Sequence, residues 1–167
     1  KPILSAGDDL DVLVAFNRAA YDAHHQEVRD GGVIVYNSED FQLEPDGQSF
    51  GMAFAELAKA TGNARAENMV VIGAFAQLVG MPQEYLEKFV TDRFTRGRPG
   101  DAEIIKANIM ALGLGREEAA KSGFQVGALP ETQRPEGAQV LIKGNDATAL
   151  GAYAAGLDVY IGYPISP

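Results

Sequence analysis

Apolar positions along this chain follow two spacings, one of strands and one of helices. Residues 11–16 (Asp11-Val-Leu-Val-Ala-Phe16) form a short, continuous apolar run that stops at Asn17. A strand buried on both faces of a parallel sheet reads this way. Asn17 then suits the N-cap of a helix over about residues 18–29, because its side-chain oxygen can accept an orphan N–H. Asp30-Gly31-Gly32 ends that helix, and Val33-Ile-Val-Tyr36 is a second buried strand. This β-α-β spacing predicts a right-handed crossover in an α/β layered domain.

Residues 37–50 are polar, with a turn signal at Pro45-Asp46-Gly47. A short amphipathic helix is expected over 52–60, closed by Thr61-Gly62-Asn63. Residues 67–79 are apolar on almost every face, which predicts a helix inside the domain. Gly80-Met81-Pro82 breaks the chain and places Pro at the start of a new helix. Tyr85, Phe89, Val90 and Phe94 then recur at 3.6-residue spacing. A further helix over 101–121 repeats Ile104, Ile105, Asn108, Ile109 and Leu112. Gly113 and Gly115 each cost about 1 kcal/mol relative to Ala in a helix interior, so a kink or an end is expected there.

The pattern then changes. Residues 122–138 mix proline, glycine and charge, and read as an interdomain linker. Gln139-Val-Leu-Ile-Lys143 reads as a strand, Gly144-Asn145-Asp146 as a turn, 147–155 as a helix of small residues, and Val159-Tyr-Ile161 as a strand. A second β-α-β unit thus starts near 139 and is truncated at 167. The first residue is not Met and the last, Pro167, falls where a helix should begin, so both ends are expected to continue in a longer protein.

Composition narrows the function classes. Of 167 residues 46% are hydrophobic and 22% charged, a globular balance. The net charge of -9 disfavours an electrostatic grip on nucleic acid. The longest apolar run, 69–76, is far short of the roughly 20 residues that span a bilayer, so no membrane partner is expected. There is no cysteine, which excludes disulfides and thiolate or iron–sulfur ligation in this segment and fits a reducing, cytoplasmic setting.

Spacing alone offers little catalytic chemistry. His24 and His25 are adjacent on a helix and point about 100° apart, so they cannot chelate one metal together. Asp8, Asp9 and Asp11 lack a calcium-loop pattern and read as a solvated turn. Arg93, Arg96 and Arg98 follow a helix, where they either complement its C-terminus or contact an anion. No glycine fingerprint for a dinucleotide and no P-loop occurs. Gly144 permits a tight turn, and Asn145 or Asp146 can cap the small-residue helix. That helix can pack closely on a sheet, a subunit or a ligand. Tyr163-Pro164-Ile165-Ser166-Pro167 stands at the carboxyl end of an expected parallel strand, where ligands of open α/β sheets bind. Two prolines restrict the backbone around the Ser166 hydroxyl, which either donates to a carboxylate or caps the next helix.

Lys143-Gly-Asn-Asp-Ala-Thr-Ala-Leu-Gly-Ala-Tyr-Ala-Ala-Gly156, followed by Gly162-Tyr-Pro-Ile-Ser-Pro167, resembles the opening of the pyrimidine-binding domain of 2-oxoacid:ferredoxin oxidoreductases. Residues 11–17, 30–36, 68–74 and 78–80 look like the gamma domain of the same family. The resemblance implies a Rossmann-like gamma domain with a helical C-terminal part over 1–121, a linker over 122–138, and a truncated β-α-β start of a thiamine-diphosphate-fold domain over 139–167. This domain order resembles the alpha subunits of 2-oxoglutarate:ferredoxin oxidoreductases (2-oxoglutarate synthases).

The resemblance further implies thiamine-dependent oxidative decarboxylation of a 2-oxoacid to its acyl-CoA, with electrons passing to ferredoxin. Thiamine diphosphate, Mg2+ and iron–sulfur clusters are implied mainly on a thiamine-binding beta subunit, in a hetero-oligomer. Tyr163, Pro164, Ile165, Ser166, Gly144 and Asn145 are the implied substrate- and cofactor-binding residues; no catalytic residue and no metal ligand is expected within the segment. Ser166 stands where the family has Thr, keeping the hydroxyl but losing a methyl that restricts its rotamer. Asp146 stands where Glu is usual. The segment alone is expected to be inactive. Two other classes compete with this reading: a non-catalytic α/β module that docks subunits, and a nicotinamide-dependent oxidoreductase.

Overall fold

The computed structural model describes residues 9–128, 137 and 142–162. The chain divides into two compact units, Lys1–Pro130 and Glu131–Pro167. The first holds three parallel strands in the order β1 (Leu10–Ala15), β2 (Val28–Asn37) and β3 (Ser49–Met52). The α/β class read from the sequence is the one observed. Leu13 and Ala15 of β1 and Val33 to Tyr36 of β2 are buried, as a continuous apolar run in a parallel sheet requires.

Between β1 and β2 lies α1 (Arg18–His24), which Asn17 caps as expected: its Oδ1 accepts from the Ala20 N–H at 2.8 Å. The helix is shorter than its sequence suggests. After one 3-10 turn at His25–Glu27, Val28 already belongs to β2. Gly31, expected to stop a helix, lies inside the strand with φ of 76°. A Cβ on Gly32 would meet the Val28 side chain at 2.7 Å and the Asp11 carbonyl at 3.0 Å, so glycine is needed where the β1–β2 register shifts. Strand β3 was not expected at all. The turn before it is held by Asp46, whose Oδ1 accepts from the N–H groups of Gln48 and Ser49 and from the Ser49 hydroxyl.

Four helices follow: α2 (Phe54–Ala60), α3 (Glu67–Leu78), α4 (Gln83–Phe94) and α5 (Asp101–Ser122). Pro82 precedes α4, where its missing N–H costs nothing. The core lies between the sheet and α2, α3 and α5, and centres on Val35, Met52, Phe54, Val70 and Leu78. Of the apolar repeat on α4, Val90 is buried while Tyr85 and Phe89 are exposed.

The helix does not end at Gly113 or Gly115; α5 runs unbroken for 22 residues. The reason is packing. A Cβ on Gly115 would lie 1.9 Å from the Val70 carbonyl oxygen, and one on Gly73 would lie 2.1 Å from that of Leu112. Each helix thus places a glycine against the backbone of the other, and the propensity cost is offset by the close crossing. The start of the expected linker is also packed: Phe124 stacks on Phe50 at 5.7 Å, and the Val126 N–H donates to the Leu78 carbonyl at 2.9 Å.

In the second unit the described element is α6 (Gly144–Ala154). The strand expected over Val159 to Ile161 is not formed, and these residues are exposed at 70%, 83% and 91%. A strand exists only with a hydrogen-bonded neighbour, and no described residue pairs with this stretch. Of the strand expected over 139–143, residues 139–141 lie outside the described residues, and Ile142 and Lys143 are not in a strand.

Candidate functional site

The sequence pointed to two short segments of the second unit. Gly144 and Asn145 are the first two residues of α6, and both are exposed. The helix begins three residues earlier than the small-residue pattern suggests. Asn145 and Asp146 therefore sit within its first turn and do not cap it; the N-cap position belongs to Lys143, whose side chain makes no capping hydrogen bond. Asp146 still complements the helix start, where negative charge is favoured. Leu150 and Tyr153 project from α6 at 57% and 79% exposure. Tyr163, Pro164, Ile165 and Ser166 lie outside the described residues.

In the first unit the singled-out groups are engaged in local structure. His24 Nδ1 lies 3.1 Å from a Glu27 carboxylate oxygen; His25 Nδ1 lies 2.9 Å from the Tyr21 carbonyl, and its ring stacks on Tyr21 at 4.6 Å. Asp11 pairs with Arg29 at 2.6 Å. Arg96 and Arg98 lie in an exposed turn held by Asp101, whose carboxylate accepts their backbone N–H groups at 2.7 and 3.0 Å. The N–H groups of Arg98 and Arg96 hold the Asp101 carboxyl below the usual range. Among the described residues no group of three His, Cys, Asp or Glu could hold a metal ion.

Two hollows were not foreseen from the sequence. One, of about 680 Å³, lies between the α2–α3 turn and α5, with Asn63, Arg65, Phe94 and Asn108 among its lining residues. Asn108 is the one buried polar residue among those described; its amide N–H donates to the Ile104 carbonyl one turn earlier. The other, of about 340 Å³, lies beside Ser38, Glu56 and Glu118. The signal that could have marked Asn108 is its place as the polar member of the repeat Ile104, Ile105, Ile109 and Leu112. The hollows depend on how α2, α4 and α5 come together, which no local spacing reveals.

The family model described as pyruvate ferredoxin/flavodoxin oxidoreductase matches residues 1–118. The chain belongs to this family. It is 32% identical to the 2-oxoglutarate oxidoreductase subunit KorA of Mycobacterium tuberculosis, over 99% of this chain and 30% of that protein. It is 33% identical to the ketoisovalerate oxidoreductase subunit VorA of Methanothermobacter marburgensis, over 70% of this chain and 24% of that one. The chain thus spans less than a third of the length of these curated relatives.

Among solved structures, the 2-oxoglutarate:ferredoxin oxidoreductase of Magnetococcus marinus, with 2-oxoglutarate, coenzyme A and succinyl-CoA bound, matches all of this chain and 30% of its own at a TM-score of 0.80 and 27% identity. The gamma subunit of a keto/oxoacid ferredoxin oxidoreductase from Geobacter sulfurreducens matches 66% of this chain and 64% of its own, at a TM-score of 0.56 and 28% identity. The resemblance read from the sequence therefore holds: this is a 2-oxoacid:ferredoxin oxidoreductase subunit sequence, and the named relatives are themselves subunits of larger oxidoreductases. Among the described residues no helix is long and apolar enough to cross a membrane.

Proposed function

We propose that this chain forms part of the alpha subunit of a cytoplasmic 2-oxoglutarate:ferredoxin oxidoreductase, with a gamma-type domain over 1–121, a linker over 122–138 and the start of a pyrimidine-binding domain over 139–167. The carrying observation is the match of the whole chain to the Magnetococcus enzyme, whereas the separate Geobacter gamma subunit matches only 66% of it. The likeness to KorA over nearly the whole chain favours 2-oxoglutarate among the 2-oxoacids.

Thiamine diphosphate, bound in the assembled enzyme, supplies the carbanion chemistry of decarboxylation. On this reading a thiamine-binding beta subunit, which the family resemblance implies, would carry its magnesium and the iron–sulfur clusters. This chain contributes to the substrate side. The Ser166 hydroxyl, held between Pro164 and Pro167, donates to the carboxylate of the 2-oxoacid. Gly144 and Asn145, at the start of α6, allow a close approach of backbone to ligand.

The test is co-purification of the full-length protein with a thiamine-binding partner, followed by 2-oxoglutarate- and coenzyme A-dependent reduction of ferredoxin. Ser166→Ala should lower kcat/KM about 10- to 100-fold, the worth of a hydrogen bond to a charged group. If the complex turns over no 2-oxoacid, the chain is a docking module instead. A preference for pyruvate would overturn the substrate.

A further inference from the structure

In a Rossmann-like layer the place for a phosphorylated cofactor is the carboxyl edge of the parallel strands, where helix N-termini point N–H groups at the phosphate. Here two helices, α1 and α2, start at that edge, and the chain fills both starts itself. The loop leaving β2 supplies one carboxylate to each. Asp40 Oδ2 accepts from the Arg18 N–H at 3.0 Å, and Glu39 Oε2 accepts from the Ala55 N–H at 2.6 Å. A third donor, the Ala20 N–H, is taken by Asn17.

The loop is fixed by contacts that do not involve these carboxylates. Phe41 packs against Tyr21 at 5.7 Å and Tyr36 at 5.2 Å, and the Arg18 guanidinium lies over the rings of Tyr21 and Phe41. The N–H groups of Asp40 and Phe41 donate back to the Asn37 carbonyl, and the Gln42 amide donates to Ser38. An incoming phosphate would have to displace an anchored loop and approach two carboxylates of its own sign. It would also find no glycine at either strand-to-helix turn, where Phe16-Asn17 and Ala53 stand.

We infer that Glu39 and Asp40 act as built-in anions that close the carboxyl edge of this sheet to phosphorylated cofactors, making the layer a scaffold and not a nucleotide site. This goes beyond the proposed activity and excludes the nicotinamide alternative at this edge. The test is hydrogen–deuterium exchange on the full-length protein, alone and with millimolar inorganic phosphate, ADP or NADH, read at peptides covering 16–22 and 52–58. None of the three should slow exchange there. Glu39→Ala should speed exchange several-fold in the 52–58 peptides and Asp40→Ala in the 16–22 peptides. Glu39→Gln and Asp40→Asn, which keep an acceptor oxygen and report if an alanine variant misfolds, should restore most of the protection. Ligand-dependent protection of the unaltered protein at these peptides, or exchange indifferent to all four substitutions, would overturn the assignment.

Discussion

Helix α6 and the α3–α5 pair are built from similar material and end in opposite situations. Each is rich in glycine and alanine. In the pair, Gly73 and Gly115 lie against the backbone of the facing helix, and Ala74, Ala111 and Ala119 are almost wholly buried. In α6 no described residue lies within 4 Å of where a Cβ on Gly144 or Gly151 would be, and no described residue of the second unit is buried. Small residues at helical spacing are therefore a capacity for close approach. Whether it is used depends on a facing element that supplies the complementary gap.

The contrast can be broken by substitution. Phe54, fully buried in the first unit, should cost about 3–5 kcal/mol when changed to Ala. Urea unfolding of the full-length protein reports it as a lowered midpoint. Gly115→Ala should cost about 1–3 kcal/mol although Ala is the better helix former, because its methyl would overlap the Val70 carbonyl. A stabilised Gly115→Ala variant in the same measurement would show that α3 and α5 are not in contact there. Tyr153→Ala on α6, exposed at 79%, should stay within about 0.5 kcal/mol. A larger loss in the assembled protein would show that the ring is covered there.

These outcomes bear on how much was legible beforehand. β1, β2, the Asn17 cap and the helices α2 to α5 were readable because each carries a period or a cap of its own. β3 was not: only Phe50 and Met52 are large and apolar in it, and what makes it a strand is its pairing with β2, whose partner residues lie 15 positions earlier in sequence. α1 was drawn too long because Val28 satisfies the helical period as well as the strand it joins. Gly115 misled for a related reason, since propensity describes an isolated helix and the close crossing is a property of two. At the candidate site, the motif around Ser166 was visible only as a string resembling a family. Closure of the sheet edge by Glu39 and Asp40 was invisible, because 16 and 22 residues separate those carboxylates from the N–H groups they hold.

The glycine crossing also has a mechanical side. Packed helices in moving domains usually yield by shear, sliding past one another while side chains change rotamer. Gly73 and Gly115 have no side chain to rearrange, and their neighbours across the contact are carbonyl groups that cannot swing aside. Any slide of α3 along α5 would therefore bring backbone against backbone along a helix about 33 Å long at 1.5 Å per residue. The turns at either end of α5 have no such backstop: Gly100 and Gly123 hold positive φ there, and a Cβ on either would meet no described residue within 4 Å.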